Sequence, residues 1–141
     1  MNETNKIPLH WSFWLIAALS LIWNGLGCVN YIVQLQPDAI SAYRETEQAI
    51  IVNRPVWATF GFALAVFAGA IGSFLLLIRR KICYWFFLAS LLGVIITMLH
   101  VLTIDAAVNT AELAGIAVMP FMVALILVWY ARKSRRNGWL R

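Results

Sequence analysis

The chain has 141 residues, of which 62% are hydrophobic and 12% charged, with a mean hydropathy of +0.80 and a net charge of +5. A soluble domain carries about 25% charged residues, so there are too few polar side chains here to cover a water-facing globule. That excludes a soluble enzyme domain, a disordered tail and a nucleic-acid binder, and leaves an all-α polytopic membrane protein whose first partner is the lipid bilayer.

A hydrocarbon core of about 30 Å calls for roughly 20 apolar residues per helix at about 1.5 Å rise. Four stretches meet that length, 9–34, 56–78, 82–104 and 111–131. They predict one four-transmembrane-helix bundle that occupies residues 1–141 as a single domain, with 132–141 as a basic tail. The first stretch follows Lys6 and passes Leu26-Gly27-Cys28 without ending, since Val29 and Ile32 extend the apolar run. It is therefore read as a retained span and not as a cleaved signal. Ala17, Ser20, Asn24, Gly27 and Tyr31 recur along it at three-four spacing, with Cys28, Asn30 and Gln34 alongside. An unsatisfied amide facing lipid costs several kcal/mol, so this stripe is expected to point into the bundle.

The connection over 35–55 opens with Pro37-Asp38, a helix-start signal. Ala39, Ala42, Tyr43, Ala49 and Ile50 then oppose Ser41, Arg44, Glu45, Glu47 and Gln48. This pattern predicts a short amphipathic helix on the outer surface, either a simple connector or a lid over the bundle. The second span has Gly61, Ala65, Gly69 and Ser73 at every fourth position, a face for close helix packing against a neighbour in the same chain or a second copy. The third repeats a small and polar stripe in Phe86, Ser90, Gly93, Thr97 and His100. In the fourth, Asn109 and Glu112 match a capping box, while Pro120 removes a backbone donor and frees the carbonyl of Ile116.

Lysines and arginines near span ends are retained in the cytoplasm. Lys6, Arg79, Arg80, Lys81, Arg132, Lys133, Arg135, Arg136 and Arg141 fall on one side of the four spans, and only Arg44 and Arg54 on the other. Both termini are predicted to be cytoplasmic. In that orientation Asn24, Asn30, Tyr31, Thr97 and His100 lie in the outer halves of the first and third spans, where they are expected to line an outward-facing cavity for a small polar solute. Asn24 and His100 also have packing explanations, an interhelical clamp for the first and a single internal hydrogen bond for the second.

Several chemistries are set aside. His10 and His100 lie near opposite membrane faces, which excludes paired-histidine haem ligation, and Cys28 and Cys83 are likewise too far apart for a dithiol pair. No metal-ligand spacing, phosphate-cradling loop or nucleophile-base set is present in the sequence, so neither a cofactor nor an enzymatic activity is expected.

The segment Ile22-Trp23-Asn24-Gly25-Leu26-Gly27-Cys28-Val29-Asn30-Tyr31 resembles the Leu-Trp-Asn-x-x-Gly-x-x-Asp-Tyr stretch of a family of small bacterial four-helix membrane proteins, mostly called hypothetical and in some cases sugar transporters. Pro55-Val56-Trp57 and Gly69-Ala70-Ile71-Gly72-Ser73, running into Arg79-Arg80, are similar to its second motif. The resemblance implies a bacterial inner-membrane location and transport of a small solute. Asn30 stands where that family has Asp, which removes the cation or proton site a carboxylate would supply. Because one four-helix bundle is thin for alternating access, transport implies a dimer along the Gly61 to Ser73 face. The alternative is a non-catalytic accessory or assembly subunit of a membrane complex, whose polar seam serves helix packing and whose glycine face docks another protein.

Overall fold

The computed structural model describes residues 7–104 and 110–141. It consists of α1 (Ser12–Gln34), a 3-10 segment (Pro37–Ala42), α2 (Glu45–Val52), α3 (Val56–Leu77), α4 (Cys83–Val101) and α5 (Thr110–Arg136). Four of these, α1, α3, α4 and α5, are long and apolar enough to cross a membrane. The chain is thus a multi-pass integral membrane protein built as a four-helix bundle. Lys6, Asp105 and Asn109 lie outside the described residues, and with them one half of the capping box expected at Glu112.

The two-sidedness of the helices follows from the solvent they face. Ile22, Val29, Phe60, Phe74, Leu99 and Ile126 are all at least half exposed, which in a membrane means facing lipid chains. Small residues face inward instead. Without a hydrophobic force between helices in lipid, association depends on close packing and interhelical hydrogen bonds. The Gly61, Ala65, Gly69 and Ser73 face is buried within this chain, against α4 and α1. That surface is thus taken up within the chain, chiefly by α4. Gly93 on α4 is the closest point of approach: a Cβ there would run into the backbone nitrogen of Ala65 and lie 2.5 Å from the carbonyl of Gly61.

Helix order in space follows chain order. α1 packs on α3, α3 most extensively on α4, and α4 on α5. α1 and α5 are not among the closely packed pairs. Their side chains meet at the end of the bundle that carries Ile7 and the C-terminal residues, here termed the terminal end. There Phe13, Ala17, Leu76, Cys83, Phe87, Leu127, Tyr130 and Ala131 form the main buried cluster, with Phe13 and Tyr130 rings 6.3 Å apart.

The basic tail is part of this fold. α5 continues to Arg136, five residues past the expected end of the span, and Gly138 then adopts φ 72°. With Trp139 N donating to Ser134 O at 3.0 Å, this is the left-handed helix stop that glycine accepts without a Cβ penalty. Beyond it Leu140 is 2% exposed and joins the main cluster. Arg141 N donates to Arg79 O at 2.6 Å, Lys81 N to Arg141 O at 3.0 Å, and Trp139 Nε1 to Ile7 O at 2.9 Å. The last residues so tie the α3–α4 turn to the start of α1.

At the other end, the expected single amphipathic helix is two pieces. Tyr43 and Arg44 are extended, and the Gln48 side chain donates to Tyr43 O at 2.7 Å, which satisfies a carbonyl a continuous helix would have used internally. α2 begins after this break with Arg44 as its N-cap residue, and the carboxylate of Glu47, at the third helical position, accepts from Arg44 N at 3.3 Å. It buries Thr46 and Ile50, the latter in a second small cluster with Val101 of α4 and Ala117 of α5.

Candidate functional site

Since α1 and α5 converge at the terminal end and α2 leans on α4 and α5 at the other, a space remains between them. It is a cavity of about 450 Å³, roughly fifteen times the volume a water molecule takes in the liquid. The size is within the range of about 300 to 1,000 Å³ common for small-ligand sites. α1 contributes Asn24, Asn30 and Gln34, α4 contributes Ser90 and Thr97, and the α2 region contributes Tyr43, Glu47 and Arg54. The remaining wall is apolar, from Phe62 and Val66 of α3, Val94, Met98 and Val101 of α4, and Ile116, Val123 and Leu127 of α5. Phe87 and Leu127 belong also to the terminal-end cluster, which closes the cavity on that side.

The polar floor is held by a small knot of hydrogen bonds. Asn24 Nδ2 donates to Ser20 O at 2.8 Å on its own helix and to Ser73 Oγ at 3.3 Å on α3. Ser73 Oγ in turn donates to Gly69 O at 2.8 Å, and Ser90 Oγ crosses from α4 to Ala65 O at 2.6 Å. The Asn24 amide lies so close over Gly69 that any Cβ there would collide with it. Gly69 thus serves the polar seam as well as the packing of α3, because only a residue without a side chain leaves room for an amide at the α1–α3 crossing.

The mouth at the α2 end is richer in polar groups. Tyr43 Oη donates to Asn30 Oδ1 at 2.7 Å, and Arg54 Nη2 donates to Gln34 Oε1 at 2.7 Å. The Arg54 guanidinium carbon stands 5.0 Å from the centre of the Phe62 ring, a cation-π contact. Its buried Nε has no hydrogen-bond partner among the described residues. Among the described residues no carboxylate comes within ion-pair distance of it. Burial pulls its pKa below the ordinary arginine value, the opposing pull from Tyr31 and Tyr43 being smaller. An arginine nevertheless stays charged at any physiological pH. Comparison with protein-family models, with curated proteins and with solved structures finds no match. The residues themselves must carry the functional argument.

Of the five residues expected to bind a solute, the structure brings Asn24, Asn30 and Thr97 to the cavity. Tyr31 and His100 are elsewhere. Tyr31 stacks edge-on between Phe62 and Phe67 of α3, at 5.5 and 5.7 Å. His100 is 3% exposed, with Nε2 3.1 Å from Ile50 O and its ring against Trp57 at 6.1 Å. A carbonyl only accepts, so Nε2 carries the proton and pins α2 to α4. Glu112 likewise joins α5 to α2: Thr46 Oγ1 donates to its Oε2 at 2.6 Å, and Arg44 stands 3.8 Å away. Both are fasteners of the segment that roofs the cavity.

The sequence gives Arg54 only as one of two basic residues on the outer side. The available signal was its place directly before Pro55 and the second span, where a lone cation sits at the membrane boundary, opposite the side that holds nine of the eleven basic residues. Gln34, on the last turn of α1, gave no signal beyond being polar.

Proposed function

We propose that this protein binds a small solute with a polar head in an outward-facing cavity of the bacterial inner membrane. The observation that carries the reading is the 450 Å³ space whose polar groups gather at the α2 end while the terminal end is sealed by packed side chains. The asymmetry of basic residues supports an orientation in which the α2 end faces outward. The resemblance of the Trp23 to Tyr31 segment to a bacterial family with transporter names points to a solute, and the apolar walls point to one that is not purely polar. In this state the cavity is one-ended, so it receives rather than conducts; transport would require the α1–α5 contact at the terminal end to open. The accessory-subunit alternative loses the docking face assigned to it, since Gly61 to Ser73 is covered by α4 and α1.

The test is chemical access. With Cys28 and Cys83 replaced by serine, Thr97→Cys should react with a membrane-impermeant thiol reagent added from the periplasmic side, and Leu76→Cys, in the sealed cluster, should not. An unreactive Thr97→Cys, or one labelled only from the cytoplasmic side, overturns the outward-facing cavity.

A further inference from the structure

Among the described residues, the cavity has one charged group whose requirements are left unmet. Glu47 also lines it, but that carboxylate already holds the Arg44 amide at 3.3 Å and the Arg44 side chain at 3.4 Å. Arg54 has one neutral partner, Gln34, a buried Nε with none, and no carboxylate within reach among the described residues. Removing a cation from water without a counter-charge is costly, and a guanidinium presents a planar fork of donors that fits a carboxylate or phosphate. Below Arg54 the α5 side of the space is apolar, through Val123 and Leu127, while the polar groups at its floor, Asn24 and Ser90, already donate within the protein. The cavity thus has a cation at its α2 end and an apolar wall running from there towards the terminal end, the two features an amphiphile needs.

The side of the cavity matters equally. Among the described residues, α1 and α5 share the buried cluster at the terminal end, and the cavity occupies the interval between them further along. On α1 that interval is bordered by Trp23, 41% exposed, and Leu26, 64% exposed, both of which also line the cavity. Residues that face lipid and cavity at once mark a lateral opening. A guest reaching the site this way keeps its chain in hydrocarbon throughout, whereas a route through water would first expose it, at a cost for every methylene.

Resting on the cavity reading above, we infer that the site takes a single-chain anionic amphiphile from the outer leaflet, its acidic head on Arg54 and its chain passing between α1 and α5. Arg54 stands two residues before the start of α3, the depth at which a lipid head meets the hydrocarbon. The opening faces the bilayer, so the ligand is drawn from the membrane and a short water-soluble acid binds poorly.

The experiment measures binding of radiolabelled dodecanoate to the purified protein in phosphatidylcholine nanodiscs, with empty discs subtracted. Saturable binding is expected, displaced by unlabelled dodecanoate, barely by butyrate, and not by dodecyltrimethylammonium. Arg54→Gln should weaken it at least tenfold and Arg54→Lys less, and Val123→Trp should weaken dodecanoate while leaving Arg54 in place. Circular dichroism of each variant confirms the fold. Equal displacement by butyrate and dodecanoate overturns the amphiphile and leaves a small-anion site. Binding that is unchanged by Arg54→Gln overturns the head assignment. No dodecanoate binding, with Thr97→Cys still labelled from outside, sinks the inference while the cavity reading stands; an unlabelled Thr97→Cys sinks the reading itself.

Discussion

The guanidinium of Arg54 donates to the side-chain carbonyl of Gln34 at 2.7 Å, joining a residue two positions before α3 to the last residue of α1. Both residues line the cavity, and the bond connects two groups of very different desolvation cost. A guanidinium deprived of its acceptor is a buried, unpaired charge, whereas an amide deprived of its donor is only a neutral polar group.

The two halves of that pair should therefore respond unequally to removal. Gln34→Leu is expected to lower stability by about 1.5 to 3 kcal/mol, the range for a hydrogen bond to a charged group. Arg54→Met, which keeps the stem over Phe62, should cost less. Thermal unfolding of both in the same detergent decides the order; a larger loss for Arg54→Met would mean that the cation stabilises the fold and is not held in reserve for a ligand.

Packing of α3 on α4 predicts a sharp difference between glycines. Gly93→Ala forces a methyl into the backbone of Ala65 and Gly61, and overpacking of this kind costs about 1 to 3 kcal/mol. Gly115, in α5, has nothing within 4 Å of where its Cβ would stand. Gly115→Ala should be neutral or slightly stabilising, by up to about 1 kcal/mol of helix propensity. Side-by-side melting curves test the pair, and equal melting temperatures would mean that the close crossing at Gly93 is wrong.

His100 should control the roof. His100→Leu removes the donor to Ile50 O and leaves that carbonyl unpaired, at about 1 to 3 kcal/mol. The loss should fall on α2 and not on the bundle. Hydrogen exchange over Glu45–Val52 is expected to quicken while α3 and α4 exchange as before. Uniform quickening would show that His100 supports the whole bundle.

Length and hydropathy alone determined the four crossings, because a lipid core imposes one requirement on every spanning helix: about 20 apolar residues with the backbone satisfied internally. The small-residue stripe and Asn24 were legible for the same reason, since packing in lipid favours them at the inner face. The sequence was silent on which helix would cover Gly61 to Ser73, on the return of Leu140 to the core, and on the break between Tyr43 and Arg44. Each depends on a partner far along the chain.

The site divides in the same way. Asn24, Asn30 and Thr97 could be placed by depth, but depth could not separate them from Tyr31 and His100, which share their level and turn to other neighbours. Tertiary structure decided that Arg54 faces the cavity with Gln34 as partner, because only the convergence of α1 and α5 at one end, and their separation at the other, leaves an interior for a cation to face.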